Sequence, residues 1–401
     1  MIFEHMRDVI VVGGGPAGLY AAWLLARRGF DVALYEEHES PGEPVHCTGV
    51  LAAEAFDEFD IPRDAVLNTL STVRFHSPAG DTLGYTTPQI EALVIDRRTF
   101  DHHLYERARA AGVTMQTGVR VTNVAVEPRR VTVTFADGGT VHGRTCVLAC
   151  GANYMIQRRL GLGLPGVFLQ SAQVEWPTAP FSDVEVHFGR AVASSGFAWA
   201  VPVRRGSASF ARIGLMSDAN AARQFDEFVS RIGDRLGLTP PPGAPPLEPR
   251  QKMLPLAPLR TTYADRVLAV GDAAGLVKAT TGGGIYYSLI SAGLAADALE
   301  EGLAHDALDA GALQSYQRAW RKRLGPELEA QLSLRLLANR LSDDEIESLF
   351  ELAQTDGIMP IVRRTARFNR HRDLIVSLFK HPPARRVLFR RLTGARQTVN
   401  S

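Results

Sequence analysis

The sequence predicts an α/β fold carrying a second, mixed-sheet layer and a helical C-terminal region, and three observations predict it. The apolar run DVIVV (8–12) is followed by PAGLYAAWLLARRG (16–29), whose apolar positions recur at helical spacing, and then by a second apolar run, DVALYEE (31–37). From about 167 to 258 the pattern turns strand-rich, with one helical stretch, ANAARQFDEFVSRIGDRLG. RVLAVGDAAG (266–275) then returns to an apolar run ending in glycine, and the remainder is helical.

Taken in order, 8–12 reads as a fully buried strand, 16–29 as a helix closed by Gly29, and 31–37 as the strand that completes a βαβ unit. A helix is expected from about Arg97 to Ala111, followed by short strands near 113–121, 131–135 and 145–150 with the turn ADGG among them. The proline-rich segment TPPPGAPPLEP (239–249) forbids a helix or a central strand. After 266–275, a glycine-rich turn opens a helix that runs to about Gly302. The expected division is a discontinuous first domain (1–70, 94–166 and 259–303), a β-rich second domain (71–93 and 167–258) and a helical region (304–401).

At 401 residues the chain is long enough to enclose a deep pocket, and 45% apolar with 22% charged residues is ordinary globular composition. The net charge of +1 conceals an asymmetry. Residues 360–401 carry eleven Lys or Arg against one acid, Asp373, which leaves −9 on residues 1–359. In that tail Arg alternates with Leu, Ile, Val and Phe, a pattern suited to lying on an anionic bilayer surface. Nothing in it resembles a base-reading motif, so no nucleic-acid partner is expected. Cys47, Cys146 and Cys150 make neither an even disulfide framework nor a C-x-x-C pair, and no metal site is expected. A cytoplasmic location is expected, with the N-terminus entering the first strand directly and no apolar run long enough to span a bilayer. Membrane contact is then peripheral.

The chemistry begins at GGGPAG. Gly13, Gly15 and Gly18 stand directly after a strand and before a helix, where the first permits a tight turn, the second lets the backbone approach a pyrophosphate, and the third lets helix and strand pack closely. Pro16 and Ala17 lie in the same turn, and the helix N-terminus offers free N–H groups to phosphate. Glu36, eighteen residues past Gly18, ends the second strand, where a carboxylate accepts from ribose hydroxyls and disfavours a 2′-phosphate. The ligand implied is FAD or NAD rather than NADP.

GDAAG (271–275), with Asp272 at its mouth, resembles the segment by which glutathione-reductase-like and hydroxylase-like flavoproteins hold the FAD ribityl chain. TTGGGIYYSLISAG (280–293) resembles their glycine-rich turn and the helix against the flavin, with Gly271, Gly282, Gly283, Gly284 and Ile285 as expected cofactor contacts. SPGEPVHCTGVL (40–51) and VIDRRTFDHHL (94–104), in the same order with these, are similar to segments of the geranylgeranyl reductase family, FAD enzymes that saturate isoprenoid chains. The resemblance covers about residues 8–300. It implies that Arg97 touches the cofactor and that Cys47 lies near the flavin, where Cys47 or a bound water would relay the proton that accompanies hydride transfer to an alkene. Glu37 and Val121 complete the expected cofactor set.

Residues 196–202 fall where that family carries a tyrosine–tryptophan–proline pattern lining the lipid pocket. Trp199 and Pro202 match, Phe197 replaces tyrosine, Val201 replaces phenylalanine, and Ser194 stands in place of a further proline. The implied substrate is a prenyl lipid or another apolar molecule, and the electron donor, NAD(P)H or a ferredoxin-like protein, is left open. Two other readings stand beside this one. The first is a flavin monooxygenase or halogenase of an aromatic or polyketide-like substrate, against which LACGANY (148–154) lacks the aspartate of the hydroxylase segment and Phe197 interrupts the halogenase tryptophan pattern. The second is an electron-transfer flavoprotein serving a quinone or partner protein.

Overall fold

The computed structural model describes residues 5–238, 248–355 and 357–394, so most of the proline-rich segment lies outside the described residues. In chain order, β1 (Arg7–Val12), α1 (Pro16–Arg27) and β2 (Val32–Tyr35) form the opening unit, followed by β3 (Val50–Ala52), α2 (Glu54–Glu58), β4 (Val66–Leu70), β5 (Thr72–His76), β6 (Thr82–Thr86), β7 (Ala92–Ile95) and α3 (Arg97–Ala110). Next come β8 (Thr114–Gln116), β9 (Val121–Val126), β10 (Val131–Phe135), β11 (Thr140–Leu148) and the short α4 (Met155–Arg159). The middle of the chain holds β12 (Phe168–Pro177), β13 (Val184–His187), β14 (Phe197–Arg205), β15 (Ala208–Ser217), α5 (Ala221–Leu236) and β16 (Arg250–Pro255). After β17 (Tyr263–Ala264) and β18 (Val267–Ala269), the chain is helical: α6 (Ile285–Ala304), α7 (Ala310–Ala338), α8 (Asp343–Thr355), α9 (Ile358–Thr365), α10 (Arg372–Lys380) and α11 (Pro382–Gly394).

The fold is mixed α/β with a Rossmann-like first sheet. Strands β18, β11, β1, β2 and β8 run parallel in that order, with β17 antiparallel at one edge and β10 and β9 paired off β11. Val9, Ile10, Val11 and Val32 to Tyr35 are buried on both faces, as the uninterrupted apolar runs require. Pro16 at the start of α1 needs no backbone N–H, and Gly29, at φ +88°, closes the helix with its N–H on the Ala26 carbonyl. The run near 113–121 divides into two strands, because Gly118 (φ +72°) turns the chain so that the Val119 N–H reaches the Glu36 carbonyl. The strand placed near 145–150 begins earlier, at Thr140, and ends at Leu148.

The second sheet has seven strands in the order β16, β12, β15, β14, β13, β5, β6, all antiparallel except the β13 and β5 pair. Helix α5 buries Phe225, Phe228, Ile232 and Leu236 against its outer face. A small third sheet, β3, β7 and β4, sets Val50 opposite Val94 and so brings the loop before β3 beside the start of α3. On the cavity side of the second sheet, helices α7, α8 and α11 stand across from its strands, with α9 and α10 packed on them. Ile375, Ala384 and Leu388 are buried there, so the apolar stripe expected on a bilayer-facing tail is used within the protein, while Arg370 and Arg372 remain exposed. Among the described residues, no helix is long and apolar enough to cross a membrane.

Candidate active site

The turn between β1 and α1 is made by backbone alone. A side chain on Gly13 (φ +107°) would place its Cβ 2.4 Å from the Ala149 carbonyl oxygen, and one on Gly18 would fall 2.0 Å from that of Gly13. At Gly15, by contrast, a Cβ meets no atom within 4 Å, because this residue faces an open cavity. Helix α1 begins there with no side-chain cap, which leaves first-turn N–H groups available to an anion. The Glu36 carboxylate accepts from the Gly14 N–H at 2.5 Å, from the His38 N–H at 3.0 Å and from the His38 ring at Nδ1 (2.5 Å). A carboxylate has about four acceptor positions, so these three leave one for a ribose hydroxyl.

Late in the chain, Gly271 (φ +58°) opens a tight turn whose N–H donates to Ser291 Oγ at 3.0 Å. The Asp272 carboxylate takes Lys252 Nζ at 3.1 Å, and its carbonyl accepts from the Tyr154 hydroxyl. Gly284 lies so close to Asp272 that a Cβ there would sit 2.7 Å from Oδ1. The turn is braced by the Lys278 N–H on the Gly283 carbonyl (3.1 Å) and the Gly282 N–H on the Lys278 carbonyl (2.8 Å). Helix α6 then starts at Ile285, again uncapped. The early and late turns touch, since a Gly271 Cβ would lie 3.0 Å from that of Ala17.

Cys47 and Arg97 meet across the third sheet. Arg97, the first residue of α3, forms a forked ion pair with Asp101 at 2.7 and 3.1 Å and also engages the Cys47 thiol, whose sulfur accepts from the Gly49 N–H at 3.3 Å. Burial disfavours the Arg97 charge, yet Asp101 and Cys47 hold it firmly protonated, above its ordinary range. Arg212, 2% exposed, donates to the Thr48 and Ile95 carbonyls and to Glu175, tying this region to the second sheet.

These pieces open on one cavity of about 740 Å³. Gly15, Pro16, Ala17, Cys47, Arg97, Asp272, Gly282 to Gly284, Ile285, Phe197 and Trp199 line it. Gly13, Gly18, Glu36 and Gly271 stand just behind, in the turns themselves. Glu37 does not reach it; it is half-exposed and paired with Arg120. Val121 begins β9 beside the end of β2 and is also outside the cavity wall. Pro202 is a correction. Alternate residues of a strand face opposite ways, so Phe197, Trp199 and Val201 line the cavity while Pro202 turns away, its carbonyl accepting from Asn68.

The far end of the cavity is apolar. Phe188 meets Phe197 at a tilt (6.1 Å) and Phe350 edge to face (6.2 Å), and Leu334, Ala338, Leu349 and Leu388 close it from α7, α8 and α11. Trp199 lies flat over Gly214, where a Cβ would meet its ring at 2.6 Å. Its buried Nε1 has no hydrogen-bond partner among the described residues.

Two cations in this wall escaped sequence reasoning. Burial lowers Lys278 to about 7 and Arg335 to about 10. Arg335 donates to the carbonyls of Ala279, Thr280 and Ser195, each at 2.8 Å. The single signal for Lys278 is its position as the one charge between GDAAG and TTGGG; Arg335, within a long amphipathic helix, leaves none. Away from the cavity, His76, Glu185 and His187 bring ligand-type atoms within 4.8 Å of one another, but Arg235 already occupies both Glu185 oxygens.

The sequence profile of the lycopene cyclase protein family matches residues 8–355. A digeranylgeranylglycerophospholipid reductase of Methanocaldococcus jannaschii is 28% identical over 374 residues, covering 88% of this chain and 93% of that protein. A digeranylgeranylglycerophospholipid reductase 2 of Methanothermobacter thermautotrophicus is 27% identical over 354 residues, covering 85% and 90%. Among solved structures, a geranylgeranyl bacteriochlorophyll reductase-like protein from Thermoplasma acidophilum matches with a TM-score of 0.82 at 21% identity, over 98% of this chain and 99% of that one. PqsL, a probable FAD-dependent monooxygenase from Pseudomonas aeruginosa, matches at 0.65 with 17% identity, over 86% and 100%. These structural likenesses are likenesses of fold.

Proposed function

We propose that the chain, which belongs to the lycopene cyclase protein family, is an FAD-dependent oxidoreductase that reduces carbon–carbon double bonds of a prenyl lipid of the geranylgeranyl type. One observation carries this reading: a single cavity joins two side-chain-free turns at one end to an aromatic, apolar chamber at the other. The reductase relatives support the same reaction class, in agreement with the geranylgeranyl reductase resemblance of the sequence.

FAD fits the residues present. Two uncapped helix starts face the cavity, and the open space at Gly15 lies where a phosphate would approach. In this reading Gly13, Gly15, Pro16, Ala17 and Gly18 hold the diphosphate, and Glu36 accepts from the ribose. Gly271 and Asp272 bind the ribityl chain, while Gly282, Gly283, Gly284 and Ile285 present backbone N–H groups to the ring. When bound and reduced, FAD supplies hydride to one alkene carbon. Arg97 and Cys47 fix the wall beside it. Phe197, Trp199, Val201 and Phe188 position the prenyl chain and exclude water. Burying ten methylene-sized units is worth ~8 kcal/mol before association costs, so an apolar chain needs no charge to be held.

Anaerobic reduction by dithionite, followed by a digeranylgeranylglycerophospholipid, tests the reading. The expected result is reoxidation of the flavin and a lipid heavier by one pair of hydrogens per double bond. A purified protein that takes up no flavin, or reduced flavin that persists in the presence of the lipid, overturns it. Oxygen uptake with hydroxylated product would point instead to a monooxygenase.

A further inference from the structure

We propose that Lys278 is the acid that protonates the second alkene carbon as hydride arrives at the first. The proposal rests on the reductase reading above and assigns a step which that reading leaves without a donor. Two electrons and one hydrogen come from reduced FAD. The π bond breaks, one C–H bond forms from the hydride and the other from an Nζ–H proton, and the neutral amine is recharged from solvent.

Position comes first. Lys278, Phe368 and Asn369 all line the cavity, and the Lys278 ammonium is held at that wall by the Phe368 carbonyl (3.0 Å) and Asn369 Oδ1 (2.5 Å), 4.6 Å from the Phe368 ring centroid. Its backbone braces Gly282 and Gly283, so the ammonium has a fixed relation to the turn assigned to the flavin. An ammonium has three N–H donors, and these two acceptors leave one for a third partner.

Cys47 is the weaker candidate. Both groups that engage its sulfur, the Gly49 N–H and Arg97, are donors, which suits the sulfur as an acceptor and provides nothing to reload a proton it gives away. Of the other lining acids, Lys252 is paired with Asp272 and Tyr286 donates to Glu58, while His46, beside Cys47, is pushed below its ordinary range by burial and by Lys252 and so is neutral near pH 7.

Electrostatics agrees with geometry. The side chain is 4% exposed, and burial lowers it to about 7, so it is an acid matched to neutral pH. Glu54 from α2 and Glu327 from α7 face it and favour its charge. His371, before α10, is lowered to about 4 by burial and by Lys278, and is therefore neutral, and the Tyr287 ring of α6 lies 5.8 Å away.

The test is single-turnover reoxidation of dithionite-reduced holoenzyme by a digeranylgeranylglycerophospholipid between pH 6 and 9. The wild-type rate should fall about tenfold per pH unit above an apparent pKa near 7. Lys278→Met should lose ~10²–10⁴-fold in rate and the alkaline limb, with flavin content and visible spectrum unchanged. Lys278→Arg separates catalysis from scaffolding, because arginine keeps charge and donors but does not release its proton. A structural strut predicts near-wild-type rates in that variant; a proton donor predicts rates as low as in Lys278→Met. Wild-type rates and pH profile in Lys278→Arg overturn the assignment. If Lys278→Met fails to fold, the wild-type profile and Lys278→Arg still decide, and a wild-type rate flat from pH 6 to 9 overturns it. A wild-type enzyme that never reoxidises with the lipid sinks the reductase reading itself.

Discussion

The two ends of the cavity are made of different material. Around Gly15 and Asp272 the surface is backbone, shaped by the absence of side chains at Gly13, Gly18, Gly271 and Gly284. Around Trp199 it is side chain, contributed by the second sheet and by α7, α8 and α11. A backbone surface has one solution, since the approach distance is set by atoms that cannot be exchanged. A side-chain surface has many, because apolar groups of similar volume repack at small cost. The first end should therefore be intolerant and the second forgiving.

The largest effect is expected at the backbone end. Gly18→Val forces a Cβ against the Gly13 carbonyl at 2.0 Å, so the turn must move; flavin uptake should be abolished, as read by the loss of absorbance near 450 nm in the purified protein. A yellow Gly18→Val protein would break the comparison. Arg212→Met comes next, although it belongs to the side-chain sheet. It strips donors from two carbonyls, while Glu175 keeps its ion pair with Arg205, and should cost ~2–3 kcal/mol in urea unfolding. This would sharpen the contrast by locating the seam where the two ends are joined.

Trp199→Ala should leave flavin content intact while weakening apolar lipid binding by roughly 10- to 100-fold, in line with the ~1.5–3 kcal/mol of burial such a side chain supplies. Loss of flavin in that variant would mean that the two ends are not independent. The smallest effect belongs to Phe197→Tyr, a near-isosteric change at an aromatic wall position, expected to shift stability by less than about 1.5 kcal/mol in thermal unfolding. A shift of several kcal/mol would show this wall to be as exacting as the glycine turns.

The same difference explains what could be read from the sequence. Gly13, Gly15 and Gly18 are legible because one residue type at one spacing has one mechanical meaning. Pro202 was misplaced because a matching motif names residues without naming faces, whereas strand alternation sends 197, 199 and 201 one way and 202 the other. Glu37 has the right type in the right neighbourhood, but its pairing with Arg120 depends on where β9 lands. The basic tail shows the limit of periodicity: an apolar stripe flanked by arginine looks the same whether it faces a bilayer or, as with Leu388, the wall of a cavity. Lys278 and Arg335 acquire their meaning from burial, which tertiary packing alone decides.

The contact between Ala17 and Gly271 joins segments some 250 residues apart along the chain. Synthesis proceeds at about 5–20 residues per second, so the first turn waits roughly 13–50 s for its counterpart to be made. Until then β1 lacks its neighbour β11, and β11 lacks β18. On the flavoprotein reading, a complete seat for the nucleotide exists only after about two thirds of the chain has been made.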